Sequence, residues 1–268
     1  SDKSVQNLFD NQPQQKLVIN GLTINQRPMR VAGLATMPSR GKSVVRMVET
    51  IINQVDRLYV FLDRFSYMPD INHEKIVSLR SQDFGDLRAN GKLLGLLFCT
   101  KGTHYYCVDD DILYPHDYCS KISEQLTLNP KAAIGVHGNK FKNALEINDY
   151  RTDRQVFNRS QYLSEVTEVD IASTDTIGFS TSDFMFDIRK WRKVNRVDLC
   201  LNIELESRGI KRLLIPRKKN WVRDIDNYQA DSIFSALLED CSEQTSMANA
   251  FLQDKNGTTS GKAIQMIR

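Results

Sequence analysis

Residues 103 to 118 read Thr-His-Tyr-Tyr-Cys-Val-Asp-Asp-Asp-Ile-Leu-Tyr-Pro-His-Asp-Tyr, and the fold is decided in this stretch. The apolar, aromatic-rich run from Tyr105 to Val108 predicts a buried strand that ends in three adjacent carboxylates, Asp109, Asp110 and Asp111. In open α/β sheets, ligands bind at the carboxyl ends of the strands. Three acids at such a position repel one another unless water, cationic side chains or a divalent metal compensates their charge. We therefore predict metal or nucleotide binding here, against the alternative of a solvated acidic turn.

The composition fits one large domain or two small ones. The chain has 268 residues, and its 41% apolar content is enough to bury a sizeable core. Its 36 basic and 33 acidic residues nearly balance, which does not indicate nucleic-acid binding. The five cysteines match no zinc spacing and predict reduced, buried thiols. With no signal peptide and no apolar stretch long enough to span a bilayer, we expect a cytoplasmic protein.

The segment before the acidic strand alternates between strand and helix patterns. We predict a strand over Arg30 to Thr36, a helix over 41–55 and a strand over Leu58 to Leu62, which together form a parallel crossover unit. Asn20-Gly21 predicts a hairpin before this unit, and we expect a short helix over Glu74 to Leu79.

The pattern continues after the acidic strand, with one interruption. Weak periodicity from 139 to 161 predicts a long loop or a small antiparallel excursion. The other predicted elements are helices over 93–98, 115–126, 197–207, 231–238 and 244–252, and strands over 132–137, 166–172, 176–179 and 212–216.

Cationic side chains occur where an anion site is expected, but each also has a plain structural interpretation. Gly41-Lys42-Ser43 is not a P-loop, because the full pattern needs Gly where Thr36 stands. Arg40 still lies at a helix N-terminus and offers an anion site or an ordinary helix start. Lys92 is a candidate for phosphate contact or for exposed surface, and His137 for a ligand role or a structural one.

The stretch Arg217-Lys218-Lys219-Asn220-Trp221-Val222-Arg223-Asp224, here called the basic segment, is densely cationic. It predicts either a solvated loop or a lid over a diphosphate, whose developing charge cations stabilise. Trp221 within it either stacks on a sugar or anchors the loop.

Taken together, these pieces resemble bacterial capsule glycosyltransferases with the GT-A fold, in particular the α-N-acetylglucosaminyltransferase family of heparosan synthesis. The resemblance covers roughly residues 30 to 235. It rests on 108–118, Pro38-Ser39-Arg40, Gln54-Val55-Asp56, Gly91-Lys92, Gly135-Val136-His137-Gly138 and the basic segment, in that family's order. Two positions depart from it: Ser173-Thr174-Asp175-Thr176 replaces a Gly-rich stretch, and Asp63 stands where Asn is expected.

The resemblance implies a mostly parallel central sheet flanked by helices, with a smaller antiparallel acceptor-side portion. It implies a GT-A domain over 28–240, preceded by an extension or hairpin over 1–27 and followed by a C-terminal helix and tail over 241–268. The implied activity is metal-dependent transfer of N-acetylglucosamine, or a related sugar, from a UDP-sugar to a growing bacterial capsular or surface polysaccharide, with retention. The alternatives are an inverting GT-A transferase with another UDP-sugar, a sugar nucleotidyltransferase and a non-catalytic capsule-assembly scaffold.

The resemblance also implies residue roles, cofactors and partners. The metal would be Mn²⁺ or Mg²⁺, held by Asp109 and Asp111. Arg40, Asp63 and Lys92 would bind the uridine and its phosphates, and Asp109 and Asp110 would contact ribose and metal-bound water. Arg217, Lys219 and Arg223 would close over the diphosphate, and His137, Thr174 and Trp221 would contact substrate. The catalytic residues would be Arg223 and Asp198, of which Asp198 would contact the acceptor hydroxyl and would be the base if the reaction inverts configuration. Besides donor and acceptor, a partner glycosyltransferase or a capsule-assembly complex at the inner membrane is expected, and nucleic acid is not.

Overall fold

The computed structural model describes residues 17–19, 22–24, 27–225 and 240–268. The strands, in chain order, are β1 Leu17–Ile19, β2 Leu22–Ile24, β3 Arg30–Thr36, β4 Arg57–Leu62, β5 Ile76–Arg80, β6 His104–Val108, β7 Ile112–Leu113, β8 Ala132–Gly135, β9 Gly138–Phe141, β10 Arg154–Phe157, β11 Thr167–Glu168, β12 Ile171–Ala172, β13 Gly178–Ser180, β14 Lys211–Leu214 and β15 Arg223–Asp224. The α-helices are α1 Gly41–Ile51, α2 Ser81–Phe84, α3 Tyr118–Leu128, α4 Val197–Glu206, α5 Ser242–Lys255 and α6 Lys262–Ile267. Short 3₁₀ segments occupy Pro38–Arg40, Ile52–Gln54, Arg88–Phe98 and Ile188–Lys190.

The main sheet has eight strands in the order β11-β14-β8-β13-β6-β3-β4-β5. Strands β5, β4, β3 and β6 are mutually parallel, and β8 and β14 run in the same direction because the antiparallel β13 separates them from β6. The expectation of a mostly parallel sheet is confirmed. The carboxyl ends of β3, β4, β6, β8 and β14 therefore share one edge of the sheet.

Side chains that alternate along the central strands fill two cores, one on each face of the sheet. On β6, Tyr105 packs into one core and Tyr106 into the other, and every residue of this strand is buried. The first core includes helices α4 and α5, and the second includes α1 and α3. Burial of each such side chain contributes roughly 1.5–3 kcal/mol, so β6 is fixed firmly at the centre of the sheet.

Two smaller sheets complete the fold. An antiparallel sheet of order β10-β9-β12 confirms the small excursion predicted after residue 138, and β7 pairs with β15 in a short ribbon. The antiparallel pair β1–β2 confirms the predicted hairpin. The helix predicted over 231–238 lies outside the described residues. Within the described part of the chain, no helix is long and apolar enough to cross a membrane.

Several sequence predictions of local structure were wrong. Residues 76–80 form the edge strand β5, not a helix, because Ile76 to Leu79 pair with β4 in register and pairing overrides the weak local pattern. The segment predicted as a helix over 93–98 is a longer 3₁₀ run, Arg88–Phe98. It lies so close to β4 that a side chain at Gly91 would overlap the Phe61 ring. The strand predicted over 166–172 is split between two sheets.

Candidate active site

The acidic turn, Asp109 to Asp111, follows β6 directly at the carboxyl edge of the main sheet. Asp110 is buried beside the end of β3, where the Thr36 hydroxyl donates a 2.6 Å hydrogen bond to its Oδ2. Burial raises the pKa of Asp110 to about 7, and the neighbouring carboxylates of Asp109 and Asp111 add to this effect against the Thr36 hydrogen bond. The position at which a P-loop would need glycine thus holds a hydroxyl that fixes the middle carboxylate.

Lys92 lies beneath the acidic turn and its ammonium contacts the Asp109 carboxylate. The lysine side chain is only 4% exposed, whereas that of Asp109 is 34% exposed. Burial alone would lower the pKa of Lys92, but the adjacent carboxylate outweighs it and holds that pKa above its ordinary value. For Asp109, burial and neighbouring carboxylates outweigh the attraction of Lys92 and raise the pKa to about 6. In this arrangement Lys92 compensates Asp109, and its predicted phosphate contact stays a prediction.

The backbone at Lys92 is fixed by Tyr105, which packs in the same core as the Arg88–Phe98 segment. The buried Tyr105 hydroxyl donates a 2.6 Å hydrogen bond to the Lys92 carbonyl. Gly33 on β3 makes this approach possible, because a Cβ there would overlap both the Lys92 carbonyl oxygen and the Tyr105 hydroxyl. The position of the ammonium is therefore set by the core.

Asp111 is the most solvent-accessible acid of the turn. Its side chain is 40% exposed, and its Oδ2 lies 3.8 Å from Arg40 Nη1. Within the described residues, no group of three or more His, Cys, Asp or Glu side chains is arranged to hold a metal ion. Mg²⁺ in nucleotide enzymes usually takes one or two carboxylates, with phosphate oxygens and water as the other ligands. The partly exposed oxygens of Asp109 and Asp111 fit that donor set.

The ribbon β7–β15 brings the basic segment to the acidic turn. Arg223 pairs with Leu113 and Asp224 with Ile112, and the Ile225 amide donates a 2.7 Å hydrogen bond to the Asp111 carbonyl. The side chains at 218, 219 and 223 are exposed. Cations that lie about 110 residues from the acidic turn in the sequence thus join it in space.

Arg217 and Trp221, two residues of the basic segment, hold the segment against the rest of the protein. Arg217 is buried and donates to the carbonyls of Ile215 and Asn158, at 3.2 and 2.8 Å. Burial lowers the pKa of Arg217 to about 10. Trp221 donates from Nε1 to Asp117 at 3.0 Å, and its ring packs against neighbouring side chains of α3. Both side chains are in anchoring positions, and their predicted substrate contacts stay predictions.

A cavity of about 360 Å³ opens beside the basic segment. It is lined by Thr50, Leu113, Tyr114, Pro115, Lys218, Lys219, Asn220, Trp221 and Arg223. A larger cavity, of about 620 Å³, lies between residues 148–151 and the C-terminal helices and includes none of the predicted site residues. Size alone is therefore a poor guide here, and the charged groups mark the smaller cavity as part of the candidate site.

Asp63 follows β4 at the same edge of the sheet. It is 3% exposed, and its Oδ2 accepts hydrogen bonds from the exposed Arg64 side chain at 3.0 and 3.1 Å. Its Oδ1 is buried and has no hydrogen-bond partner among the residues that the structure describes. A buried acceptor without a donor is costly, so Oδ1 is a fitting partner for an N–H group of a ligand.

A second charged group, which sequence reasoning missed, surrounds His137. Its Nδ1 lies 2.7 Å from Asp175 Oδ2, and Arg159 Nη1 donates to the same oxygen at 2.6 Å. Arg159 also pairs with Asp224 on β15 at 2.5 Å. Burial would raise the pKa of Asp175, but His137 and Arg159 hold it far below its ordinary value. The sequence pointed to Asp175, because Ser173-Thr174-Asp175-Thr176 replaces a Gly-rich stretch of the resembled family. It did not point to Arg159, which lies in a segment of weak periodicity.

Asp198 and Thr174 are in direct contact. The Asp198 Oδ1 accepts hydrogen bonds from the Thr174 amide, at 2.8 Å, and hydroxyl, at 2.6 Å, and its Oδ2 accepts one from Ser173 at 3.3 Å. Asp198 also lies in the first turn of α4, where a negative charge is stabilising. Both oxygens therefore hold the 173–174 loop in place.

Tyr114 connects the two charged groups. Its buried hydroxyl accepts a 2.8 Å hydrogen bond from the Asp109 amide and donates one of 2.6 Å to the Asp175 carbonyl. The structure thus brings together, around one edge of the sheet, Arg40, Asp63, Lys92, Asp109, Asp110, Asp111, His137, Thr174, Asp198, Arg217, Lys219, Trp221 and Arg223. Arg217, Lys219 and Trp221 join this group through the basic segment that leads into β15, and Asp63 joins it through the strand order.

Comparisons with known proteins support the fold. No protein-family model and no curated protein matches this sequence. Among solved structures, GalNAc-T7 with UDP, GalNAc and Mn²⁺ is similar over 87% of this chain, with a TM-score of 0.54 and 9% sequence identity. This chain covers 55% of that protein's chain. At such low identity the likeness concerns the fold alone, and it confirms the prediction from the sequence: the chain has the GT-A fold of glycosyltransferases.

Proposed function

We propose that this protein is a metal-dependent glycosyltransferase that transfers a sugar from a UDP-sugar to a carbohydrate acceptor. The observation that carries the proposal is the β7–β15 ribbon, which sets an exposed cationic segment against an acidic turn at the carboxyl edge of a GT-A sheet. Such an edge is where open α/β sheets bind nucleotides. A nucleotide-sugar site needs carboxylates that bind a metal ion and cationic side chains that bind the diphosphate, and the two segments supply one each.

Asp109 and Asp111 would hold Mn²⁺ or Mg²⁺. When bound, the ion neutralises charge on the diphosphate of the departing nucleotide. Burial, and after it the crowding of three carboxylates in one turn, raises the pKa of Asp109 and Asp110. The crowding supports this assignment, because a cation relieves it. Asp110 takes part by fixing the turn through Thr36.

The remaining charged side chains would bind different parts of the donor: the uracil, the phosphates and the sugar. The free Oδ1 of Asp63 would accept the N–H of uracil, for which a single acceptor is sufficient. Arg40, Lys219 and Arg223 would contact the phosphates, while Lys92 keeps Asp109 in position. Three residues would lie on the sugar side: His137 after β8, Thr174 between β12 and β13, and Asp198 in the first turn of α4.

The resemblance of the motifs favours N-acetylglucosamine as the donor sugar, a growing bacterial capsular or surface polysaccharide as the acceptor, and retention of configuration. The fold relative GalNAc-T7 was solved with UDP, GalNAc and Mn²⁺, which favours a hexosamine and a metal of this kind. Under that assignment this protein would be located in the cytoplasm. Its partner would be another glycosyltransferase or a capsule-assembly complex at the inner face of the membrane.

The test is release of UDP from a panel of UDP-sugars, with and without Mn²⁺. The proposal predicts metal-dependent release from one or a few donors, and its loss in Asp111→Ala. Asp86→Asn is the matched control, because Asp86 is an exposed carboxylate paired with Arg88 outside the site. Release of pyrophosphate from a nucleoside triphosphate would instead indicate a sugar nucleotidyltransferase. A protein that binds no UDP at any metal concentration would favour the non-catalytic scaffold.

A further inference from the structure

His137 is held by one ring nitrogen only. Its Nδ1 lies 2.7 Å from the Asp175 carboxylate, and its backbone is tied to the same loop through the Thr176 hydroxyl and the Ser173 amide. Its Nε2 makes no hydrogen bond to any residue that the structure describes, and the side chain is 22% exposed. The ring is therefore fixed on its protein side and open on the other.

The tautomer of the neutral ring follows from these contacts. Asp175 is ionised, since Arg159 donates to the same Oδ2 and Thr176 donates to Oδ1 at 2.8 Å. Arg159 Nη1 also lies 3.3 Å from Nδ1, but it donates to Asp175 Oδ2 at the shorter distance of 2.6 Å. An ionised carboxylate only accepts hydrogen bonds, so its 2.7 Å contact with Nδ1 places the hydrogen on Nδ1. In the neutral ring Nε2 then carries none and is an acceptor.

Asp198 is the other side chain that could accept a hydrogen bond from a sugar hydroxyl, but both of its carboxylate oxygens already accept hydrogen bonds. Asp198 was expected to contact the acceptor hydroxyl, but Ser173 and Thr174 donate to both of its carboxylate oxygens. His137 belongs to the same loop cluster, because its carbonyl accepts from the Ser173 amide at 2.9 Å. Of these two side chains, His137 is the one with an unused acceptor atom.

We propose that Asp175 is a positioning residue: it fixes His137 as the Nδ1–H tautomer, so that Nε2 is presented as the hydrogen-bond acceptor for a sugar hydroxyl. The identity of the hydroxyl as a sugar group rests on the proposed function, whereas the tautomer rests on the contacts alone. Carboxylates that orient a histidine in this way are a general device, since the bond at one ring nitrogen sets the state of the other.

Burial lowers the pKa of His137, but Asp175 outweighs it and holds that pKa above its ordinary value, so the neutral ring is the form present above this raised pKa. The tautomer is measured there, by NMR of protein labelled with ¹⁵N in histidine. The chain has four histidines, and His137→Gln identifies the signals of this ring. The expected wild-type result is a protonated Nδ1 and an unprotonated Nε2. His137 and Arg159 share Oδ2 of Asp175, so the diagnostic variant is Asp175→Ala, which removes that oxygen. The polar neighbour of Nδ1 is then Arg159 Nη1, a donor 3.3 Å away, and the ring changes to the Nε2–H tautomer. Asp224→Ala is the matched control, because it removes the other partner of Arg159 without touching His137.

A protonated Nε2 in the neutral wild-type ring would overturn the proposal, as would an unchanged tautomer in Asp175→Ala. The sugar contact is tested separately, with UDP and UDP-N-acetylglucosamine in the presence of Mn²⁺. Asp175→Ala and His137→Gln should bind UDP within about twofold of wild type but release UDP from the donor roughly 10- to 100-fold more slowly. Equal losses of UDP affinity and turnover would mean a merely structural role. If the wild type binds no UDP at all, the proposed function fails, while the tautomer result still decides the role of Asp175.

Discussion

Lys92 and Asp109 form an ion pair whose two partners differ in burial, and this asymmetry makes a sharp prediction. The lysine side chain is 4% exposed and that of the aspartate 34%. Breaking a buried pair by removing one partner costs about 3–5 kcal/mol, because the other charge is left uncompensated. Asp109→Asn leaves the deeply buried ammonium alone and should cost the upper part of that range.

Lys92→Met leaves a carboxylate that water can partly reach, and methionine fills most of the vacated volume. We expect a cost of about 2–3 kcal/mol, below the range for a fully buried charge. The double variant Lys92→Met/Asp109→Asn contains no unpaired charge and should be more stable than Asp109→Asn alone. The coupling between the two sites should then be at least about 2 kcal/mol.

The measurement is chemical denaturation of the wild type, both single variants and the double variant at one pH, with equal m-values as the condition for comparison. If Lys92→Met costs as much as Asp109→Asn, the argument from burial is wrong. If the two single effects simply add in the double variant, the side chains do not form the pair described here.

Three further predictions concern the surroundings of the site. Gly33→Ala should destabilise the protein by at least about 3 kcal/mol in denaturation, because the added methyl group overlaps the Lys92 carbonyl, and wild-type stability would contradict this packing. Tyr114→Phe removes the hydroxyl that joins the Asp109 amide to a second loop, so we expect a loss of about 2 kcal/mol and faster hydrogen exchange at that amide; unchanged exchange would refute the link. Burial lowers the pKa of His104 to about 4 from an ordinary value of 6.5, so the unfolded chain binds a proton there that the native chain does not, and stability falls as the pH drops from 6.5 to 4. In His104→Gln the slope of unfolding free energy against pH in that window should be shallower by up to about 1.4 kcal/mol per pH unit, and an identical slope would show that this ring does not titrate as described.

The main strands could be predicted from the sequence because their patterns are strong and local. Arg30 to Thr36 is found as predicted, and β4 and β6 differ from prediction by one residue at the start. The edge strand β5 could not be predicted, since charged residues precede it and its strand character comes from pairing with β4. The 3₁₀ segment Arg88–Phe98 was equally hidden, because its conformation depends on close contact with neighbouring strands.

The candidate site, like the fold, has parts that could be predicted from the sequence and parts that could not. The acidic turn and the basic segment are visible as runs of charge, and the strand-end rule places the first of them correctly at the carboxyl edge of the sheet. The pairing of individual charges is not visible in the sequence. Burial decides that Lys92 faces Asp109, and a loop of weak periodicity delivers Arg159 to Asp175. Such contacts depend on tertiary structure and have no local signature.

The central claim is that the acidic turn holds a divalent cation that binds the diphosphate of a UDP-sugar. Calorimetric titration of UDP into the wild type and into Asp111→Asn, each with Mn²⁺ and with a chelator, tests it most directly. We predict that Mn²⁺ strengthens UDP binding to the wild type by at least about tenfold, or about 1.4 kcal/mol, and that Asp111→Asn removes this gain. UDP affinity that is the same with Mn²⁺ and with chelator, or a gain that persists in Asp111→Asn, would contradict the account.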